Sequence, residues 1–137
     1  MKQINCIYIV DDDPITVFGI KKMLGMVTDC NDIHTYENGK TALDSIIQRI
    51  KNGAQLPEVI FLDINMPIMD GWEFLAEFLN IETKEQIRIN IISSSIDSAD
   101  YEKWERYKQS TTHFIDYKEK PIFRIEPKDI SLVNLAS

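Results

Sequence analysis

The chain has 137 residues, of which 44% are hydrophobic and 27% charged, and its formal net charge is −7. This balance is typical of a soluble globular domain and excludes a disordered chain. The acidic surplus argues against non-specific binding to nucleic acid or anionic membrane, because both attract an excess of lysine and arginine. The apolar runs are too short to span a bilayer and no secretory signal opens the sequence, so we expect a cytoplasmic protein.

Short apolar runs alternate with longer segments of helical periodicity, the pattern of βαβ units on a parallel sheet. In chain order, the predicted strands cover residues 4–10, 33–36, 59–64, 87–92 and 112–117. Four helices are predicted, from an Asp13 cap to about Val27, from an Asn38 cap to Gly53, from about Gly71, and from an Asp97 cap. A fifth helix is expected over about residues 128–135, after the interruption at Pro127. These elements predict one α/β domain.

The spacing of apolar residues indicates which helical side chains face the core. The inward candidates are Ile15, Phe18 and Leu24 in the first helix, Ala42, Ile46 and Ile50 in the second, and Leu75, Phe78 and Leu79 in the third. The fourth helix carries Tyr101, Trp104 and Tyr107 at three-residue spacing. Packing is the favoured interpretation of this aromatic stripe. A partner surface is the alternative, since aromatic residues are favoured at interfaces.

The two cysteines have no CxxC or metal-ligand spacing. Cys6 lies in an apolar strand pattern and is predicted to be a small buried hydrophobe. A disulfide or redox role for Cys6 and Cys30 is the alternative, disfavoured by a reducing compartment. His34 and His113 also lack ligand spacing, and we interpret them as surface or structural residues.

Polar side chains follow four of the predicted strands at their carboxyl ends, where ligands collect in a doubly wound sheet. They are Asp11, Asp12 and Asp13 after the first strand, Asp63 at the third, Ser93, Ser94 and Ser95 at the fourth, and Lys120 with Pro121 after the fifth. We expect three carboxylates, a hydroxyl and an ammonium to converge at one edge of the sheet. Asp13 is interpreted as the cap of the first helix rather than as a ligand.

Carboxylates held together repel, by about 4 kcal/mol per pair at about 4 Å and an effective dielectric constant of about 20. A hard divalent cation such as Mg²⁺ removes this penalty and often holds a phosphate as well. An aspartate can also act as a nucleophile and form an acyl phosphate, whose added charge needs the metal, a lysine and a hydroxyl donor. The residue set therefore predicts phosphoryl chemistry in a magnesium pocket.

Four stretches resemble the receiver domains of two-component response regulators. They are Val10–Pro14, Phe61–Gly71 with its specific LDINMPIMDG run, Ile92–Ser95 and Lys120–Pro121. The resemblance covers about residues 4–122 and implies a single receiver domain over residues 1–137 with an uncertain end at 123–137. It further implies the flavodoxin-like fold, with helices on both faces of a five-stranded parallel sheet in the order 2-1-3-4-5.

The resemblance implies a role for each acidic residue of the pocket. Asp63 would accept the phosphoryl group, with Mg²⁺ or Mn²⁺ as cofactor. Asp12 would bind the metal directly, Asp11 largely through water, and Asn65 through its backbone carbonyl. Asn65 and Ser95 would also lie where the family tunes the lifetime of the phosphate.

Four further residues match the switch machinery of the family. Ser93, a serine where threonine is commoner, and Lys120 would contact the phosphoryl oxygens. Ser93 and Tyr117 would move when the phosphate is present. Pro121 would follow Lys120 through a cis peptide bond, which proline makes accessible. The neighbouring Asp70–Gly71 pair is predicted to form a turn in which the glycine supplies a positive φ.

The resemblance implies a phosphoacceptor signalling domain and not an enzyme. Its only catalytic activity would be the slow removal of its own phosphoryl group. Its partners would be a histidine kinase or histidine phosphotransfer protein and a downstream protein bound at the face of helix four, strand five and helix five. No direct binding of nucleic acid or membrane is expected, and the protein would be a monomer or weak dimer. A single domain accounts for all 137 residues, which favours a stand-alone regulator that binds a partner in trans. The alternative is an effector domain that follows Ser137.

Two other functions are open to the same residues. A receiver-like interaction module that is never phosphorylated would usually lose an acidic ligand or the lysine, and this sequence keeps them. A haloacid-dehalogenase-like phosphohydrolase is suggested by the pair Asp11 and Asp13. The order of motifs disfavours it, because that family places its second acidic motif after the lysine, and a cap insertion is missing.

Overall fold

The computed structural model describes residues 2–94 and 97–132. The strands are β1 (Lys2–Gln3), β2 (Ile7–Val10), β3 (Thr28–Asp29), β4 (Ile33–Tyr36), β5 (Val59–Asp63), β6 (Arg88–Ser93) and β7 (Phe114–Glu119). The helices are α1 (Pro14–Leu24), α2 (Gly39–Lys51), α3 (Gly71–Leu79) and α4 (Ser98–Gln109), and a 3₁₀ helix covers Pro127–Ile130. Within the described ranges, every helix is too short or too polar to cross a lipid bilayer.

Five parallel strands form the main sheet in the order β4-β2-β5-β6-β7. Counted among themselves along the chain, this is the order 2-1-3-4-5, so the predicted doubly wound fold is confirmed. The predicted first strand over residues 4–10 is wrong at its start, because β2 begins only at Ile7. β1 pairs with β3 in a separate small sheet, and the chain bends at Asn5, whose N–H donates to the Glu58 carboxylate at 2.9 Å.

The main sheet is covered on both faces. Side chains from α2 and α3 fill one apolar layer, whose largest fully buried members are Tyr8, Phe74 and Phe78. Side chains from α1 fill the other layer together with Ile125 and Ile130, which come from beyond the last strand. The central strands β2, β5 and β6 are buried along their whole length, as expected for a parallel sheet covered by helices.

Two inward candidates of the first helix are wrong. Ile15 is 80% exposed and Phe18 is 64% exposed, whereas Ile20 and Leu24 are buried. The helix has only 11 residues and ends at Leu24 instead of about Val27, so the stripe that meets the sheet lies in its second half. Of the candidates in α2, Ala42 and Ile46 are buried but Ile50 is exposed, because it lies in the last turn before the Asn52 cap.

The region after β7 contains no fifth α-helix within the described residues, so that prediction is wrong as far as residue 132; residues 133–135 lie outside the described ranges. Residues 121–131, here called the C-terminal segment, run irregularly into the 3₁₀ helix at Pro127. Two side chains of β6 donate hydrogen bonds to the backbone of the C-terminal segment. Asn90 Nδ2 donates to the Asp129 carbonyl at 2.8 Å, and Arg88 Nε donates to the Ser131 carbonyl at 2.6 Å. These bonds fix an irregular path that a regular helix would not follow.

Candidate functional site

Three carboxylates meet at the carboxyl edge of the sheet. Asp11 and Asp12 directly follow β2, and Asp63 is the last residue of β5, the strand that pairs with β2. One oxygen from each lies within 4.8 Å of the others. Asp11 and Asp63 are buried, while Asp12 is exposed and leaves one side of the cluster open to solvent. The structure thus brings together the acidic residues that the strand ends predict.

Lys120 places its ammonium between the two buried carboxylates. Its Nζ lies 3.1 Å from Asp11 Oδ2 and 3.3 Å from Asp63 Oδ1. The backbone holds the lysine in place, because its N–H donates to the Ser93 carbonyl at 2.8 Å. The bond from Lys120 to Pro121 is cis, the isomer that the family resemblance implies.

The pocket holds more negative charge than Lys120 can balance. The pKa of Asp63 is raised to about 6, chiefly by burial and next by the charge of Asp11, while Lys120 opposes both. Burial also raises the pKa of Asp11. For Lys120, burial lowers the pKa, but the two carboxylates outweigh that effect and the net shift is upward. A second cation would relieve this imbalance.

The donor set fits a hard divalent metal. Asp11 Oδ2 is buried and accepts no hydrogen bond of good geometry from the described residues, although the Lys120 ammonium is near it. The ligand atoms are all oxygens, which Mg²⁺ prefers, and the exposed side of Asp12 leaves room for the waters that Mg²⁺ retains. Asn65 lies two residues after Asp63, and its backbone N–H lowers the pKa of the Asp63 carboxyl. Ligation through the Asn65 carbonyl stays a prediction.

The predicted switch residues lie on neighbouring strands. Ser93 is buried at the end of β6, one position beyond Ile92, which pairs with Asp63. Tyr117 lies in β7, with its ring centroid 5.9 Å from that of Trp104 and 6.2 Å from that of Tyr101. The contact of Ser93 with a phosphoryl group and the movement of Ser93 and Tyr117 stay predictions. Ser95, the second lifetime residue, lies outside the described residues.

The loop after β5 differs from its prediction. Asp70 caps α3 in a reciprocal box with Glu73, at 2.8 Å for the Glu73 N–H and 3.2 Å for the Asp70 N–H. Gly71 is the first helical residue and does not supply the positive φ, which falls on Ile68 at 71°. Asp13 behaves as predicted, since its side chain caps α1 by accepting from the Ile15 N–H at 3.1 Å.

The aromatic stripe of α4 largely serves packing. Trp104 Nε1 donates to the Ile115 carbonyl at 2.8 Å, and Tyr107 stacks on Trp72 with an interplanar angle of 16°. Tyr101 is exposed. Sequence reasoning missed Trp72, whose position two residues after Asp70 gave no periodic signal.

Comparison with known proteins agrees with this geometry. The sequence matches the response regulator receiver domain over residues 7–121. An uncharacterised response regulatory protein of Vibrio cholerae is 30% identical over 89% of this chain and 41% of its own length. A protein-glutamate methylesterase/protein-glutamine glutaminase of Methanococcoides burtonii is 35% identical over 78% of this chain and 28% of its own. The chain therefore spans less than half the length of these two relatives.

A solved structure shares the whole fold. The crystal structure of a two-component response regulator from Cytophaga hutchinsonii has a TM-score of 0.70 and 26% identity, covering 88% of this chain and 89% of that one. In this chain, the strand order, the acidic cluster with its lysine and the sequence match all point to the same family. This chain belongs to the response regulator receiver domain family of two-component systems.

Proposed function

We propose that this domain accepts a phosphoryl group on Asp63, in the presence of Mg²⁺ or Mn²⁺, and passes the signal on by changing its binding to a partner. The observation that carries the proposal is the placement of Lys120, whose Nζ lies 3.3 Å from Asp63 Oδ1 and 3.1 Å from the under-bonded Asp11 Oδ2. A lysine in this position can balance the negative charge of a phosphoryl group on Asp63, while a bound metal ion balances the charge of Asp11.

The reaction is a displacement at phosphorus. An oxygen of the Asp63 carboxylate attacks the phosphoryl group of a phosphohistidine on a kinase or phosphotransfer protein. The O–P bond forms as the P–N bond breaks, and the donor histidine leaves with the bonding electron pair. Asp63 must be ionised to attack, and its raised pKa of about 6 still allows this at neutral pH. A bound divalent ion would supply charge neutralisation, with Asp11, Asp12 and Asp63 as its side-chain ligands.

The signal would leave through β7 and α4. The Lys120 N–H donates to the Ser93 carbonyl at 2.8 Å. This hydrogen bond couples the ends of β6 and β7 next to Asp63, the proposed phosphoacceptor. Tyr117 lies three residues before Lys120 and packs against Tyr101 and Trp104 of α4. A shift at Ser93 can therefore bias how Tyr117 packs. We place the partner surface on α4, β7 and the C-terminal segment, in the cytoplasm, without direct binding of nucleic acid or membrane.

The test is the intact-protein mass after incubation with acetyl phosphate and Mg²⁺. We expect a gain of one phosphoryl group, which disappears without Mg²⁺ and in Asp63→Asn. Asp13→Asn is the matched control, because this neighbouring carboxylate caps α1 outside the cluster, and it should still be labelled.

Two other outcomes would replace the proposal. If the protein gains no mass under conditions that label a known receiver, the domain is an interaction module that works without phosphate. If it instead releases phosphate steadily from a small phosphate ester, through Asp11 and Asp13 rather than Asp63, it is a phosphohydrolase.

A further inference from the structure

A second group of metal-ligating side chains lies at the opposite end of β2 from the acidic pocket. Cys6 directly precedes β2, Asp32 directly precedes β4, and His34 lies within β4. One ligand atom from each lies within 4.8 Å of the other two. The backbone joins the two strands here, since the Ile7 N–H donates to the Asp32 carbonyl at 3.0 Å. The three side chains thus lie where two paired strands of the sheet begin.

The group combines a buried sulfur with two accessible partners. Cys6 is fully buried, whereas the side chains of His34 and Asp32 are 39% and 50% exposed. A metal ion can therefore meet the imidazole and the carboxylate from solvent, and their 2.6 Å hydrogen bond must open before the ion contacts the buried sulfur. Cys30 does not compete for this position, because it packs against the α1 layer while Cys6 packs in the layer of α2 and α3. Both cysteines are free.

The imidazole nitrogen at the centre of the group faces two incompatible partners. His34 Nε2 lies 2.6 Å from Asp32 Oδ1 and 3.1 Å from an Arg49 guanidinium nitrogen. A neutral ring nitrogen can donate a proton to the carboxylate or accept one from the guanidinium, but it cannot do both. Arg49 has other contacts, since it donates to the Gln55 carbonyl at 2.7 Å and lies over the Tyr8 ring. It can leave the imidazole without losing every partner.

We propose that Cys6, Asp32 and His34 form a binding site for a divalent transition metal, with Zn²⁺ as the best match. Thiolate, imidazole and carboxylate are the ligands that Zn²⁺ takes in proteins, and three of them with one water complete a tetrahedral site. Mg²⁺ avoids sulfur, so this site and the all-oxygen pocket at Asp63 would select different metals. Arg49 acts as the resident cation that a metal displaces from His34.

Metal binding requires the sulfur to lose its proton. Burial raises the pKa of the Cys6 thiol to about 12, so the free thiol is protonated at neutral pH. On binding, the S–H bond breaks, the proton goes to solvent and the sulfur electron pair forms the bond to the metal; no redox partner is needed. The bound metal would tie the start of β2 to β4, on the side of the sheet away from the phosphoacceptor.

Cobalt(II) is the probe, because a thiolate bound to cobalt gives a charge-transfer absorption band that oxygen ligands do not give. The protein is titrated with Co²⁺ in excess Mg²⁺, which occupies the acidic pocket, and Zn²⁺ is then added to displace the cobalt. We expect the band in the wild type and, unchanged, in Cys30→Ser. We expect it to vanish in Cys6→Ser. In His34→Gln, the affinity should fall by at least about tenfold, since losing even an outer partner of a ligand costs ten- to hundredfold.

Arg49→Gln is the opposing variant and should bind Co²⁺ more tightly, because it removes the competing cation. The proposal is overturned if the wild type shows no band, if the band persists in Cys6→Ser, or if His34→Gln and Asp32→Asn bind Co²⁺ as well as the wild type. The last two variants alter partly exposed side chains, so they carry the test even if Cys6→Ser fails to fold.

Discussion

Gly71 lies so close to Asp63 that a Cβ atom on the glycine would stand 2.3 Å from the Asp63 carbonyl oxygen. The Gly71 N–H also donates to the Ile64 carbonyl at 2.9 Å. The first residue of α3 therefore lies directly against the backbone at the end of β5, the strand that ends in Asp63. Glycine is required here for close approach and not for an unusual φ.

Replacing Gly71 by alanine should destabilise the domain by about 1–3 kcal/mol, the usual cost of forcing extra volume into a packed site. Urea unfolding measures this change. Gly19→Ala is the matched control, since a Cβ there meets no atom within 4 Å and alanine should stabilise α1 by up to about 1 kcal/mol. Equal effects of the two substitutions would contradict this role of Gly71.

The raised pKa of Asp63 predicts a pH dependence of stability in metal-free buffer. The unfolded chain loses the Asp63 proton near pH 3.8, but the folded protein keeps it to about pH 6. Stability should therefore fall as the pH rises through this window, by on the order of 3 kcal/mol, and then level off. Asp63→Asn should remove part of that fall and be the more stable protein at pH 7. Chemical unfolding at pH 4.5 and pH 7 tests the sign.

Lys120 should compete with a metal for the same carboxylates. Lys120→Gln removes a positive charge 3.1 Å from Asp11, so we expect Mg²⁺ affinity to rise by at least about tenfold. The same variant should lose on the order of 2–3 kcal/mol of metal-free stability, because two buried carboxylates lose their partner. Calorimetric titration with Mg²⁺ checks the first effect; unchanged affinity would show that the lysine does not oppose the metal.

Asp129 should decide whether the C-terminal segment stays in place. Its carboxylate pairs with Lys118 Nζ at 2.7 Å and accepts from the Glu126 N–H at 2.8 Å. Asp129→Ala should cost about 2 kcal/mol, since hydrogen bonds to charged groups contribute about that much.

Cleavage by chymotrypsin at Phe123, which is exposed, gives a local measurement of the same effect. The rate of cleavage should rise in Asp129→Ala. It should not change in the control Lys128→Ala, because that neighbouring side chain is exposed and makes only a 3.7 Å contact with Glu126.

The parts of the fold that follow from periodicity could be predicted. β4 has the predicted bounds, α2 and α4 begin at the predicted caps Asn38 and Asp97, and α3 begins at Gly71 as predicted, although its Asp70 cap was interpreted as a turn. The acidic pocket could be predicted because carboxyl ends of parallel strands share one edge, which needs no knowledge of side-chain geometry.

The parts that depend on what covers a surface could not be predicted. Ile15 and Phe18 have the right spacing for an inward stripe, but only the position of α1 decides which stripe meets the sheet. Likewise, Arg88 and Asn90 look unsuited to a central strand until the carbonyls they bind are seen. The group of Cys6, Asp32 and His34 joins Cys6 to residues 26 and 28 positions away, so spacing rules for metal sites do not detect it.

The polar contacts of the C-terminal segment have a practical consequence for fusing this domain to other proteins. The family match stops at residue 121, yet Ile125 and Ile130 complete an apolar layer and the buried Arg88 binds the Ser131 carbonyl. A chimera joined at the end of the family match would open that layer and leave a buried arginine without its carbonyl partner. Fusion points should therefore be chosen after Ser131, ten residues beyond the limit that sequence similarity suggests.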